Sequence, residues 1–326
     1  DLLNEKIRSK LEALNTEPEE KGLTLGKLVE MYLAYQKKAF KLSTYRRNYY
    51  NLKTTTQCLG EDTLVSSLSA GYIKQKMDTL DLENGSYNEY ITRFKAMLRW
   101  GYENDLVADI RYLDKLKKLP NDTRREKLVN KYLEREELSA LLKVMAVERW
   151  KLLTEFMVLS GLRYGEVCGL DKSDVSQQEQ MIHVTKNYDY NNRVLTSTKT
   201  FTSTRDVFIQ PELADVCKRI DAFFDTAGLR NSSKLFFPDF DGGYMHYYDY
   251  AKYIREVSER AIGRKIAPHI LRHTHVSLLA EAGVPLETIS RRLGHSDSRV
   301  TKEVYMHVTK RLEERDRERI SNTSLL

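Results

Sequence analysis

The sequence predicts a mainly α-helical fold with a small β-sheet, divided between two domains. A chain of 326 residues is longer than one small hydrophobic core usually serves. Apolar residues recur at helical spacing along most of the chain, and short runs typical of strands occur between residues 181 and 209. With 41% hydrophobic and 31% charged residues, the composition is that of an ordinary folded protein. We therefore expect a helical first domain and an α+β second domain.

The first domain is predicted between residues 23 and 110. It follows a charged segment, residues 1–22, which we interpret as a short helix and a linker. Leu25, Leu28 and Tyr32 then lie on one face of a helix. Three more helices are predicted from residues that favour the N-cap position, which are Ser43 or Thr44, Ser69 and Ser86.

Basic residues cluster in the N-terminal half, although the net charge of +6 is by itself weak evidence for a polyanionic partner. Residues 111–130 are rich in basic side chains and contain Pro120, so we interpret them as a basic interdomain linker. The candidate phosphate contacts of the first domain and this linker are Lys37, Lys41, Arg46, Arg47, Arg93, Lys117, Lys118, Arg124 and Arg125. Each alone is typical of a solvated surface, but together they fit contacts with nucleic-acid phosphates.

The second domain is predicted to occupy residues 131–326. Two helical patterns come first, at Glu136–Leu142 and Trp150–Leu162. Three short strands are predicted next, at Met181–Tyr188, Arg193–Ser197 and Asp206–Ile209. Further helices are predicted to begin at Pro211, Tyr247, Pro268, Leu286 and about Ser298.

The cysteine pattern favours a reducing compartment. Cys58, Cys168 and Cys217 are widely spaced, with neither a Cys-x-x-Cys pair nor the spacing of metal ligands. No apolar run reaches the roughly 18–20 residues that span a bilayer, and the N-terminus lacks a secretory pattern. We therefore expect a cytoplasmic protein without a membrane partner. Because the chain begins at Asp1 rather than Met, we also expect residues upstream of it.

Six residues stand out as candidates for chemistry: Arg163, Lys199, His269, Arg272, His295 and Tyr305. Arg163 lies at a junction between helices, and Glu166 could hold its guanidinium from the same face. His269, Arg272 and His273 share one face at the start of a helix, where the helix dipole favours an anion. Gly294 is predicted to end the preceding helix and to leave His295 exposed. Nothing local distinguishes Tyr305 from the other tyrosines.

These residue types suit attack by a phenol on an anionic phosphodiester. A phenol has a pKa of about 10, so it needs positive charge nearby to react as a phenolate. Two arginines can neutralise the negative charge that develops on the phosphate oxygens. Lys199 could protonate the leaving alkoxide, and a covalent phosphotyrosine would keep the ester bond energy for religation. No metal ion or other cofactor is therefore expected.

In their order and types, these six residues resemble the catalytic residues of the tyrosine recombinases of phages and conjugative elements. The resemblance covers residues 24 to about 310. The resemblance implies a core-binding domain at 23–110 and a catalytic domain at 131–326, closing as a C-shaped clamp on DNA. It assigns Arg163 and Arg272 to the scissile phosphate, Lys199 to the leaving 5′ oxygen, His269 to proton transfer and His295 to a phosphate oxygen. Tyr305 would become joined to the 3′ phosphate, with Glu166 and His273 in support.

The resemblance also implies partners and an assembly. A homo-tetramer would act on two double-stranded DNA sites through a Holliday junction, with a docking helix from about residue 306 reaching a neighbouring subunit. An arm-binding domain could precede residues 1–22, and a directionality factor and a host DNA-bending protein could assist at the nucleoid. Two alternatives remain: a strand transferase like the type IB topoisomerases, and a catalytically silent DNA-binding protein. A metal-dependent nuclease is disfavoured because the sequence lacks a carboxylate cluster.

Overall fold

The computed structural model describes residues 22–120, 131–197, 204–294 and 299–323. The chain divides into two compact units, Asp1–Asp122 and Thr123–Leu326. Each unit has its own hydrophobic core.

Within residues 22–120, the first unit contains four α-helices. They are α1 (Leu25–Ala39), α2 (Leu42–Leu59), α3 (Ala70–Asp78) and α4 (Asn84–Glu103). The predicted apolar face of α1 is confirmed, because Leu25, Leu28 and Tyr32 are buried. Ser69 accepts a hydrogen bond from the backbone N–H of Tyr72 (3.2 Å), as expected of an N-cap. The starts predicted near Ser43 and Ser86 were slightly late, because α2 begins at Leu42 and α4 at Asn84.

The stretch interpreted as the start of a linker is folded onto the first unit. Arg111–Lys115 form a 3-10 helix, and Leu113 and Leu116 are buried in the core of that unit. The side chain of Asn88 on α4 donates a hydrogen bond to the carbonyl oxygen of Leu119 (2.9 Å) and accepts one from its backbone N–H (2.7 Å). The prediction of a linker is therefore wrong for residues 111–120, which belong to the first unit. The many basic residues of this stretch suggested a linker, although Leu113 and Leu116 are core residues. Residues 121–130, with Arg124 and Arg125, lie outside the described residues.

In the ranges of the second unit that the structure describes, helices are combined with two small antiparallel sheets. Its helices are α5 (Arg135–Val144), α6 (Glu148–Ser160), α7 (Tyr164–Gly169), α8 (Pro211–Thr226), α9 (Tyr247–Ile262), α10 (His269–Glu281), α11 (Leu286–Leu293) and α12 (Arg299–Ser321). Its strands are β1 (Val175–Ser176), β2 (Met181–Val184), β3 (Lys186–Asp189), β4 (Val194–Ser197) and β5 (Arg205–Phe208). The starts predicted at Pro211, Tyr247 and Leu286 are confirmed.

The predicted strand Met181–Tyr188 is two strands in the structure. It is interrupted at Thr185, after which the chain changes its pairing partner. β2 lies between β1 and β5 in one sheet, whereas β3 pairs with β4 in a second sheet. The register places Ile182 opposite Val207, so that both point into the core.

A smaller cluster of buried residues joins the last three helices. Val276 and Ala280 of α10 pack with Ile289 of α11 and with Val304 and Val308 of α12. Beyond Leu312 the side chains of α12 are exposed through residue 323. Tyr305 and the charged tail thus belong to one helix of 23 residues rather than to a short helix and a separate one.

The cysteines of the second unit are buried thiols. Burial raises the pKa of Cys168 and of Cys217 to about 12, so both stay protonated at neutral pH. Across the described part of the chain, no three His, Cys, Asp or Glu side chains are grouped as metal ligands. None of the helices in that part is long and apolar enough to cross a membrane.

Candidate active site

The site begins at the junction between α6 and α7. Gly161 ends α6 in the left-handed conformation (φ +70°), and Arg163 is the N-cap residue of α7. The carboxylate of Glu166 accepts the backbone N–H of Arg163 at 2.9 Å and its Nη1–H at 2.6 Å. The predicted pairing of these two side chains is therefore present. It fixes a guanidinium that keeps 40% of its side-chain area exposed.

Arg272, on α10, is buried, with only 6% of its side chain exposed. Its Nη1 donates to the carbonyl oxygen of Gly161 and its Nη2 to that of Leu293, both at 2.6 Å. Burial and the charge of Arg163 lower the pKa of Arg272 to about 9, although Glu166 opposes the shift. The guanidinium therefore remains charged at neutral pH.

Glu166 is the buried counter-ion of this cluster, with 3% of its side chain exposed. Besides Arg163, it accepts two hydrogen bonds from Arg205 (3.0 and 3.2 Å), and Nη1 of Arg272 lies 3.6 Å away. Burial by itself would raise the pKa of Glu166, but Arg205, Arg272 and Arg163 together lower it to about 2. Three guanidinium groups thus surround one carboxylate, which leaves an excess of positive charge.

Sequence reasoning missed Arg205, which is the first residue of β5. One signal could have found it. Side chains two positions apart in a strand point to the same face, and Val207 is buried. Arg205 therefore had to face the interior, where a buried arginine requires an acidic partner.

Arg292 and His275 form a second hydrogen-bonded pair next to the site. Sequence reasoning also missed Arg292. Nε of Arg292 donates to Nε2 of His275 (3.1 Å), whose Nδ1 donates to the carbonyl oxygen of Val158 (2.7 Å). Arg292 also donates to the backbone carbonyls of Phe208 and Leu159. Burial and the charge of Arg292 lower the pKa of His275 to about 3, so this imidazole is neutral. Both of its ring nitrogens are hydrogen-bonded to protein atoms, so we interpret its role as structural.

His269 and His273 stand one turn apart on α10, with ring centroids separated by 5.9 Å. His269 is exposed at the start of the helix, whereas His273 is half-buried. Desolvation by the neighbouring protein atoms lowers the pKa of His269. Burial, with the charges of His269, Arg272 and Lys131, lowers that of His273 to about 4. Both imidazoles are therefore predominantly neutral at pH 7.

Tyr305 lies in the second turn of α12 and packs partly buried against the α10–α11–α12 cluster. Within the described ranges, no group makes a hydrogen bond with its hydroxyl. On either side of Tyr305, α12 is held by the contacts of Lys131 with Glu303 (3.2 Å) and of Tyr132 with His307 (3.1 Å). Lys199 and His295, the other two candidates, lie outside the described residues.

The candidate phosphate contacts of the first unit differ in their surroundings. Lys37, Lys41, Arg46, Arg47, Lys117 and Lys118 are exposed. Arg93 is half-buried and pairs with Glu89 at 2.9 Å. Its charge is therefore already partly neutralised within the unit.

Comparisons with known proteins agree with this fold. Residues 131–311 match the phage integrase family, and the chain belongs to that family. It is a tyrosine site-specific recombinase, an enzyme that cuts and rejoins DNA. The family, the fold class and the recombinase activity expected from the sequence are thereby confirmed.

Individual relatives cover nearly the whole chain. It is 28% identical to the "Prophage ps2 probable integrase" of Lactococcus lactis, over 95% of this chain and 85% of that protein. It is 26% identical to the integrase of Staphylococcus phage L54a, over 95% of this chain and 96% of that protein.

Two solved structures show the same fold. The Tn1549 transposon integrase in complex with transposon right end DNA aligns with a TM-score of 0.73 at 18% identity, covering 90% of this chain and 99% of that one. A lambda integrase tetramer bound to a Holliday junction aligns with a TM-score of 0.66 at 12% identity, covering 93% and 85%.

Proposed function

We propose that the arginine cluster binds the scissile phosphate and that Tyr305 attacks it, so that the enzyme integrates and excises a mobile element. The observation that carries this proposal is the balance of charge at Glu166. Three guanidinium groups face one carboxylate, and Arg163 remains accessible from solvent. A phosphodiester would supply the missing negative charge and could accept a bidentate pair of hydrogen bonds.

The cluster is organised before the substrate arrives. Glu166 fixes Arg163, and two backbone carbonyls fix Arg272. Donors held in place stabilise developing charge without reorganising during the reaction. Negative charge that builds on the non-bridging oxygens would therefore be neutralised as Tyr305 attacks.

In the proposed reaction the Tyr305 oxygen forms a bond to phosphorus, and the bond from phosphorus to the 5′ oxygen breaks. Lys199 donates a proton to the leaving 5′ oxygen, and His269 assists proton transfer by accepting the proton that the Tyr305 hydroxyl loses. His295 donates a hydrogen bond to a phosphate oxygen, and His273 supports His269 from the next turn. Attack by a 5′ hydroxyl on the phosphotyrosine reverses these steps and joins the strand, so no cofactor is consumed.

The proposal extends to how DNA is held. The first unit would act as the core-binding domain, and its exposed basic residues Lys37, Lys41, Arg46 and Arg47 would contact the backbone. Lys117 and Lys118 of the first unit, together with Arg124 and Arg125, would add further contacts with the DNA backbone. Because solved relatives of the same fold are bound to DNA and one is a tetramer on a Holliday junction, we propose a homo-tetramer that joins two duplex sites.

A nicked duplex carrying the ends of the mobile element tests the proposal. The nick lets the cleaved strand leave, so the covalent adduct accumulates, and peptide mapping should place it at Tyr305. Adduct should form in EDTA, because the proposed chemistry uses no metal ion. Tyr305→Phe should abolish the adduct while DNA binding, measured by fluorescence anisotropy, persists.

Tyr248→Phe is the matched control, since Tyr248 is a largely exposed tyrosine of the same unit. It should form adduct at the wild-type rate. An adduct on another residue, or strand breakage that disappears with EDTA and leaves no adduct, would overturn the assignment. Two intact sites should in addition yield a Holliday junction.

A further inference from the structure

Each nitrogen of the Arg205 guanidinium donates a hydrogen bond to a protein atom. Its two Nη groups donate to Glu166, and its Nε donates to the carbonyl oxygen of Arg292 at 2.7 Å. Only 6% of the side chain is exposed. All three guanidinium nitrogens of Arg205 therefore donate to protein acceptors, whereas Arg163 keeps 40% of its side-chain area exposed.

Arg205 nevertheless controls the charge that Glu166 presents to its neighbours. Glu166 is held by groups from three elements: Arg163 at the start of α7, Arg205 on β5 and Arg272 on α10. Arg205 makes a bidentate pair with the carboxylate, whereas Nη1 of Arg272 stays at 3.6 Å. Without Arg205, the same carboxylate would attract Arg163 and Arg272 more strongly and draw both away from a phosphate.

Arg205 also helps to fix the end of α11. The last carbonyls of a helix have no partners within it, and positive charge is favourable at that end. Arg205 binds the carbonyl of Arg292, and Arg272 binds the next one, that of Leu293. Gly294 then ends the helix in the left-handed conformation. Two arginines that share Glu166 thus hold consecutive carbonyls of α11.

We propose that Arg205 is a positioning residue for strand cleavage: it neutralises Glu166 and fixes the end of α11, so that Arg163 and Arg272 stay aimed at the phosphate. This inference rests on the proposed function of the arginine cluster. It predicts that loss of Arg205 impairs cleavage in bound DNA far more than it impairs binding.

The test compares adduct formation on the nicked duplex at saturating enzyme with binding of the same duplex. Arg205→Gln removes the charge at similar size, and we expect the maximal rate to fall about 100-fold with near wild-type affinity, as for a small misplacement of catalytic groups. The maximal rate of Arg205→Lys should fall less, because one ammonium keeps the charge but cannot bridge Glu166 and the carbonyl of Arg292.

A double variant separates positioning from a merely structural role. In Glu166→Gln/Arg205→Gln no carboxylate remains to capture Arg163 and Arg272. We therefore expect it to cleave about ten-fold faster than Arg205→Gln alone. A purely structural residue would give the opposite result, because the two losses of stability would accumulate.

Arg149→Gln is the matched control. Arg149 is also largely buried (12% exposed) and pairs with Asp239 at 2.5 Å, but it lies at the opposite end of α6. It should lose stability without losing cleavage rate. Wild-type rates in both Arg205→Gln and Arg205→Lys, or a double variant slower than Arg205→Gln, would overturn the inference. Failure of the wild-type enzyme to form an adduct at Tyr305 would instead refute the proposed function.

Discussion

Replacing Gly161 by alanine tests whether the junction between α6 and α7 is as tightly packed as the structure indicates. A Cβ atom at this position would lie 2.5 Å from Cδ2 of His275 and 3.0 Å from its Cγ and Nε2. The imidazole cannot easily move, because both of its nitrogens are hydrogen-bonded and the ring is buried. The backbone at Gly161 also has φ +70°, which L side chains rarely adopt.

Two costs add in this variant. The left-handed conformation costs an alanine about 1–2 kcal/mol, and an overpacked core typically costs about 1–3 kcal/mol. We expect Gly161→Ala to lower the free energy of unfolding of the second unit by about 2–5 kcal/mol. Gly263 ends α9 at φ +71° with no atom within 4 Å of its added Cβ. Gly263→Ala should therefore cost only the first term, about 1–2 kcal/mol.

Urea denaturation of the two variants measures the difference. The chain contains two tryptophans, Trp100 in the first unit and Trp150 in the second. In a Trp100→Phe background, the fluorescence of Trp150 reports unfolding of the second unit alone. The gap between the two alanine variants isolates the contact with His275.

The contact also has a consequence for catalysis, because the carbonyl of Gly161 accepts the 2.6 Å hydrogen bond from Arg272. Gly161→Ala should slow adduct formation, whereas Gly263→Ala should not. In a His275→Ala background the extra cost at Gly161 should disappear. Equal destabilisation by the two alanines, or an extra cost that survives the loss of the His275 ring, would refute the packing argument.

Two further predictions concern acid stability and the first unit. The pKa of His275 is about 3 in the folded protein and 6.5 in its ordinary state, so the unfolded chain binds a proton that the folded chain refuses. The stability of the second unit should therefore decrease as pH falls from 6.5 towards about 3. In urea denaturation at a series of pH values, His275→Gln should make the free energy of unfolding depend less steeply on pH. An unchanged pH dependence would contradict the burial argument. Leu113 is 1% exposed, so Leu113→Ala should destabilise the first unit by about 2–5 kcal/mol, read from the fluorescence of Trp100 in a Trp150→Phe background. A change below about 0.5 kcal/mol would instead be typical of a linker residue.

Most of the fold followed from local patterns. The apolar stripe of α1 and the end of α11 at Gly294 depend on residues within one or two turns of each other, so they could be predicted from the sequence. The pairing of Arg163 with Glu166 was predictable for the same reason. The division of one predicted strand at Thr185 was not, because it depends on which strands pair across the sheet.

The rest of the site depends on contacts between residues far apart in the chain. Arg205 and Glu166 are 39 positions apart, and Arg292 meets Phe208 across 84. Charged side chains are usually exposed, so the sequence alone favours the surface for Arg292, and for Arg205 only the alternation with Val207 argues against it. Leu113 and Leu116 were likewise hidden among basic residues. The sequence by itself determined the order and types of the candidate catalytic residues. Only the tertiary structure decided which charges are buried together, because burial and charge balance arise when distant segments pack.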